Sequence, residues 1–266
     1  MSATYTHGYH PSVLRSHTWR TAENSAAYLL SHLEPGMTIL DVGCGPGTIT
    51  ADLAARVAPG RVIALDASET VLAKARRHAA EVGATTITFT TGDVHALDLP
   101  DDSVDVVHAH QVLQHVSDPV AALREMRRVC RPGGIVAARD ADYAAMTWYP
   151  EVSALDEWLE LYRAVARANG GEPDAGRRLL AWAHAAGLTD VTPGTSTWCH
   201  ATVAEREHWG TMWSDRIVDS AIATDAVRSG LADVETLRRL SRAWRDWAAE
   251  PDGWFAILHG EILCRA

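Results

Sequence analysis

Asp41-Val42-Gly43-Cys44-Gly45-Pro46-Gly47 sets a carboxylate two residues ahead of three glycines at alternate positions, and Asp66, Asp93 and Asp140 each stand at or just past the end of another short apolar run. Glycine admits a ligand close to the backbone and enters turns that other residues avoid. A carboxylate before such a turn suits a cationic ligand, because Asp41 can answer an ammonium or sulfonium group while the glycines let the rest approach. Asp66, 19 residues beyond Gly47, is placed for a ribose diol. A dinucleotide fits less well. Its pyrophosphate is usually met by GxGxxG at a helix N-terminus, and Thr48 stands where the third glycine of that pattern would fall.

The elements that position these residues follow from apolar spacing. Residues 38–42 read as a strand buried on both faces, ended by the glycine turn. Ile49, Leu53 and Val57 then share one helix face up to Ala58-Pro59-Gly60. The unit repeats with a strand at 61–66 and a helix carrying Val71, Ala75, Ala79 and Val82, followed by strands at 86–90 and 104–109. Asp118 as N-cap and Pro119 at the first helical position open another helix, with Val120, Leu123, the stem of Arg127 and Cys130 as its inner face. The turn 131–134 leads to a strand at 135–139. Alternating strands and helices of this length predict parallel pairing, right-handed crossovers and a doubly wound α/β fold. Its ligand would sit outside the carboxyl ends of the strands, where the four acids converge.

Beyond Pro150 the pattern turns helical, at 152–169 and at 175–186, where Gly187 is a natural stop. A strand at 195–199, two or three amphipathic helices within 202–250 and a last strand at 254–264 complete the reading, with the helices as a cap inserted ahead of the last strand. Eight of the ten tryptophans fall after residue 150, which separates this region in composition from the first half.

The chain has 266 residues, 47% of them hydrophobic, enough for one large domain or two small ones. A net charge of -10 without a basic block argues against nucleic acid as partner. Cys44, Cys130, Cys199 and Cys264 lack zinc-site spacing and read as reduced thiols. Neither a signal architecture nor a membrane-length apolar run is present in the sequence, so a cytoplasmic protein without a membrane partner is expected.

Residues 39–48 resemble the first motif of the class I S-adenosylmethionine-dependent methyltransferases, in particular the ubiquinone and menaquinone methyltransferase-like group. Leu65-Asp66-Ala67-Ser68 resembles the family's second motif and Gly92-Asp93-Val94 its third, while 105–107, 111–116 and the segment from Leu123 to Gly134 follow in the family's order and spacing. The resemblance covers about residues 36–140. It implies S-adenosylmethionine as cofactor, with Asp66 on the ribose hydroxyls, Asp93 on the adenine amino group, Ala67 and Val94 beside the adenine, and Asp41 and the backbone near Ala109 at the methionine end. Gly43, Gly45 and Gly47 would form the cradle. It also implies a Rossmann-like seven-stranded sheet of order 3-2-1-4-5-7-6 with an antiparallel last strand. Three regions are then expected: an N-terminal helical lid at 1–35, the cofactor-binding core at 36–145, and acceptor-binding helices with the last two strands at 146–266.

His110-Gln111-Val112-Leu113 differs from the motif of amino-methylating DNA enzymes, and a fourth-strand carboxylate that would join Asp140 and Asp142 on a metal is missing, so no catalytic metal is expected. Methyl transfer needs an acceptor atom held in line in a site shielded from water, with a base adding about 10²-fold to 10⁴-fold where a proton must leave. His115, just after strand four, is the first candidate for a base or orienting group; its other reading is an ordinary hydrogen-bonded loop histidine. Asp140 reads as pocket-lining or solvated, and His208 as a cap residue reaching the acceptor or an exposed helix histidine. Tyr5, His7, Tyr9, His10, His17 and Trp19 read either as a lid, with Tyr9 at the acceptor and Arg20 at the methionine carboxylate, or as a solvated terminal segment. An HxxH pair, His7 and His10, is weak evidence for a metal without a third ligand. Trp148, Trp158, Trp182, Trp209, Trp213, Trp244 and Trp247 read singly as core, and as a set as an apolar acceptor pocket. The expected acceptor is a small aromatic or heteroaromatic molecule methylated on O, N or C, by a monomer or homodimer. The rivals are a non-methylating protein with the same cofactor and an NAD(P)-dependent oxidoreductase, which would want GxGxxG and a Tyr-x-x-x-Lys pair that the sequence lacks.

Overall fold

The computed structural model describes residues 19–266. Tyr9, with His7, His10 and His17, lies outside the described residues. The chain alternates strands and helices through β1 (Thr38–Val42), α3 (Thr48–Val57), β2 (Arg61–Asp66), α4 (Glu69–Glu81), β3 (Ile87–Thr91), β4 (Val104–His110), α5 (Pro119–Val129) and β5 (Cys130–Ala141), after two short helices α1 (Ala22–Ser25) and α2 (Ala27–Leu30). Then come β6 (Thr147–Tyr149), α6 (Ser153–Ala168), α7 (Leu179–Ala185), β7 (Asp190–His200), α8 (Val203–Asp219), α9 (Ala221–Arg228), α10 (Val234–Ala249) and β8 (Trp254–Arg265).

The first five strands are parallel in the order β3-β2-β1-β4-β5, and β8 adds antiparallel to β5. β7 runs antiparallel along the far edge of β8, while β6 pairs with Thr147 opposite Ala256, beyond the stretch of β8 that β5 occupies. Counting β7 as the expected sixth strand and β8 as the seventh, the order is the expected one. The three cap helices α8, α9 and α10 are inserted between β7 and β8, as the sequence predicts.

Three local expectations need correction. β7 begins at Asp190 rather than 195, and Pro193 and Gly194 lie in the ladder opposite Ile262 and Glu261. β7 is an edge strand, and an edge tolerates a residue that donates no hydrogen bond. The 131–134 turn is an irregularity inside β5: Val104 pairs with Cys130 and Val106 with Ile135, so extra residues loop out while the ladder resumes. On α5 the buried face is Ala122, Leu123, Met126 and Val129, and Arg127 is exposed with its guanidinium on the Gly187 carbonyl.

The two sheet faces differ in cover. On one, Leu40, Val42, Val107, Ala109, Val136 and Ala138 pack beneath Leu123, Met126 and Leu179. On the other, Ile39, Val106 and Ala137 meet Leu53 and Val57 together with Ala22, Ala26, Leu29 and Leu33. The segment expected to be a lid is thus, from Ala22 to Leu33, part of the core: a Thr21–Asn24 capping box starts it and apolar residues at spacings of four, three and four turn one face inward. The cap has its own core, where Trp158 meets Trp213 and Trp244 edge-on at 4.5 and 4.8 Å between ring centroids. No helix among the described residues is long and apolar enough to cross a membrane.

Trp244 is fully buried among these rings whereas Trp254 is 38% exposed. Trp244→Ala is therefore expected to destabilise by about 3–5 kcal/mol and Trp254→Ala by much less, read from urea midpoints at constant slope. Equal losses would mean that the cap is not packed as described.

Candidate active site

The carboxyl ends of β1, β2, β3 and β4 lie side by side, and the sequence-predicted residues of the first half gather there. Gly43, Gly45 and Gly47 all have positive φ, at 65°, 56° and 85°, so the turn after β1 depends on glycine. A Cβ on Gly43 would lie 2.4 Å from Val112 Cγ2, which shows how closely the turn after β4 approaches the turn after β1. Asp66, at the end of β2, accepts from the Gly45 N–H (3.1 Å) and the Ser68 N–H (2.9 Å). Burial pushes its carboxyl above the usual carboxylate range despite these donors. Asp93 is exposed, with the His95 N–H and imidazole holding it below that range; Val94 is buried and Ala67 exposed.

Asp41 is placed differently from its expected role. It is 3% exposed, and its two oxygens accept from Thr50 Oγ1 (2.6 Å) on α3 and His108 Nδ1 (2.8 Å) on β4. Ala109 lies inside the ladder between Val42 and Ala138, so the turn that follows β4 is what presents groups to the ligand edge.

That turn is led by Gln111, a non-glycine residue with φ of 54°, whose N–H donates to the Arg139 carbonyl at 2.7 Å. Its side chain accepts from Arg20 Nη2 (2.7 Å) and donates to His259 Nε2 (2.9 Å), while His259 Nδ1 donates to the Ile257 carbonyl (3.0 Å). The sequence reading placed Gln111 in a family-like segment and gave it no role of its own. It also missed Trp198, which stands at the centre of a ring of groups: Trp19 at 5.0 Å, His110 at 5.6 Å and His259 at 4.4 Å between ring centroids, with the Arg20 and Arg139 guanidinium carbons at 5.5 and 4.8 Å. His200 adjoins Trp19 and stacks on Trp209 at 4.5 Å. The available signal was alternation: His108, His110 and Arg139 interrupt apolar strands at positions that share one face.

His115 closes a 3-10 turn, Leu113–His115, with its Nε2 2.9 Å from Gln114 Nε2. Burial, then the charges of Arg20 and Arg216, push its imidazole down to about 3, so at neutral pH it is uncharged and weakly basic. Asp140 is not pocket-lining. It is 0% exposed in β5, and its Oδ1 accepts the Gln114 N–H at 3.1 Å, pinning the turn that carries His115. Asp142 is bound bidentately by Arg177. His208 is half-buried on α8, on the cap rather than on the strand ends that carry the glycine turn. Among the described residues no group of three His, Cys, Asp or Glu is arranged to hold a metal.

Residues 33–240 match the family model described as Methyltransferase domain. The chain belongs to that family. It is similar to an uncharacterized methyltransferase of Schizosaccharomyces pombe, 33% identical over 97% of this chain and 95% of the other, and to the Aspergillus luteorubrus protein named Probable methyltransferase ltbC, 30% identical over 97% and 96%. The YcgJ protein of Bacillus subtilis has the same fold, with a TM-score of 0.58, 21% identity and coverage of 90% of this chain and 98% of the other. The protein is a class I S-adenosylmethionine-dependent methyltransferase.

The residues fit that cofactor. Three left-handed glycines leave the backbone bare, the Asp66 carboxylate can accept two hydroxyl hydrogen bonds in a partly desolvated place, and Val94 offers an apolar surface next to exposed Asp93.

Burial pushes the Asp140 carboxyl up to about 7. Because the folded value lies above the unfolded one, the folded state holds the proton more tightly; this contribution to stability is complete below about pH 4 and lost as pH rises through about 7. Asp140→Asn should remove that dependence, so that the variant gains on the wild type by at most about 4 kcal/mol between those limits in urea titrations at several pH values. Parallel pH profiles of the two proteins would refute it.

Proposed function

We propose that this methyltransferase acts on a small planar aromatic or heteroaromatic acceptor, methylating O, N or C without a catalytic metal. The observation that carries the reading is the ring of aromatic and imidazole groups around Trp198, joined to the cofactor turn through Gln111 and Val112. In this reading residues 36–145 hold the donor, and 146–266, which include Trp198, His200 and His259, supply the acceptor side. S-adenosylmethionine supplies an electrophilic methyl group. Gly43, Gly45 and Gly47 admit the donor's backbone-facing side, Asp66 accepts from the ribose hydroxyls, Asp93, Val94 and Ala67 border the adenine, and Arg20 meets the methionine carboxylate. Asp41 acts through others, fixing Thr50 and His108 and thereby the turn.

Burial and the charges of Arg139 and Arg20 hold His110 and His259 well below the usual imidazole range, and burial with Arg20 and Arg216 does the same for His115. These residues stay neutral and are poor proton acceptors, so rate enhancement rests on orientation and exclusion of water rather than on a histidine base. Since a lowered imidazole gains its proton only far below 6.5, kcat/KM should show no inflection near that value. An inflection there that His115→Gln or His110→Gln removes would contradict this role.

The deciding experiment incubates the protein with S-adenosylmethionine and a panel of aromatic hydroxy, amino and carboxy compounds. The expected outcome is a product heavier by one methyl group with S-adenosylhomocysteine released; conversion without gain of mass would assign non-methylating chemistry to the fold. Asp66→Ala is expected to weaken S-adenosylhomocysteine binding at least tenfold, by calorimetry, with the unfolding midpoint little changed. Unaltered affinity would remove Asp66 from the ribose.

A further inference from the structure

Arg139 lies in β5 with 1% of its surface exposed, and its Nε donates to Glu261 Oε1 (3.1 Å) and Ser196 Oγ (2.9 Å). Nη1 and Nη2 are buried and meet no hydrogen-bond partner among the described residues. The guanidinium lies over the Trp198 ring. His110, 6% exposed, likewise has no partner for either ring nitrogen among the described residues. Buried donors without acceptors are costly, and where they persist in a native fold they ask for a partner that comes from outside. The groups left open here are of one kind. They are a planar fork of cationic N–H donors and a neutral imidazole, around an indole face, one turn of chain away from the glycines that hold the donor.

The partner that satisfies such a set is itself planar and anionic. A carboxylate matches the guanidinium fork with two parallel hydrogen bonds, which neither an ammonium nor a neutral ring can do. The field agrees: Arg139 and Arg20 are the charges that most strongly oppose protonation of His110 and His259. Glu261 already balances one positive charge through the Nε edge, yet its carboxylate leaves the Nη groups free.

We propose that the acceptor of this methyltransferase is an aromatic carboxylate, its ring lying against Trp198 and its carboxylate oxygens taken by Nη1 and Nη2 of Arg139, with His110 adding an N–H. The inference rests on the methyl-transfer reading above and names the acceptor class for that site. It sets Arg139 apart as the specificity-determining residue, on a strand otherwise built for the core.

The test uses the full chain saturated with S-adenosylhomocysteine and titrated with benzoate, 4-hydroxybenzoate and indole-3-carboxylate, each against its primary amide, followed by tryptophan fluorescence and calorimetry. The carboxylates are expected to bind at least tenfold more tightly than the amides. The preference should vanish in the double variant Arg139→Met with Glu261→Gln, which removes both charges together so that neither is left buried alone. Equal affinity for carboxylate and amide, absence of saturable carboxylate binding, or a preference that survives in a folded double variant overturns the proposal. The wild-type comparison decides even if the double variant fails to fold. Titration with S-adenosylhomocysteine separates the levels: a protein that binds it without carboxylate preference loses only this inference, whereas one that does not bind it loses the donor reading as well.

Discussion

A carboxylate buried at the end of β1 has to be answered from inside the protein, and the answer given to Asp41 determines how the ligand edge is built. Thr50 reaches it from the first turn of α3 and His108 from β4, so one group locks together the strand before the glycine turn, the helix after it and the neighbouring strand. A carboxylate of this burial left without partners would cost several kcal/mol. The glycine turn is therefore suspended between two fixed points, and its three left-handed residues complete a span whose ends are already set.

His108 begins a polar layer that the sheet confines to one face. His110 lies two residues on, level with Arg139; Arg139 is level with Glu261, and His259 follows two residues before Glu261 on β8. Successive strand residues alternate between faces, so the other face keeps Val107, Ala109, Val136 and Ala138 for the apolar core. Both faces thus carry apolar packing, and the one that meets α1 to α3 through Ile39, Val106 and Ala137 also carries the polar row towards the carboxyl ends of β4 and β5. Trp198 closes the layer from the edge strand, its indole N–H donating to the Asn24 carbonyl of α1 at 2.6 Å, so the N-terminal helices and the last strands meet over the polar face.

Much of this was legible in the amino-acid sequence. The βα periodicity, Asp118 with Pro119, the glycine turn and the acids at the strand ends follow from local rules of spacing and capping, and the structure has the elements where those rules put them. What escaped were consequences of distant pairing. Arg139, His259 and Trp198 come from three strands far apart in the chain and meet only through registers that no local window contains. Asp140 escaped for the opposite reason: its place at a strand end implied access, but Gly176 and Gly260 pack backbone to backbone beside it and seal it. The 131–134 turn misled because bulging, a tertiary fact, overrides what proline and glycine do in isolation.

β8 follows all three of its neighbours in the chain and sits inside the sheet, with β5 and β6 on one edge and β7 on the other. During synthesis those three strands therefore wait with unpaired backbone while more than fifty residues of cap are added. Unpaired edges invite pairing with other chains. The order of elements gives this protein a vulnerable interval in its biogenesis, ended only when Trp254–Arg265 emerges and slots between its neighbours, so conditions that slow translation between β7 and β8 should favour aggregation over folding.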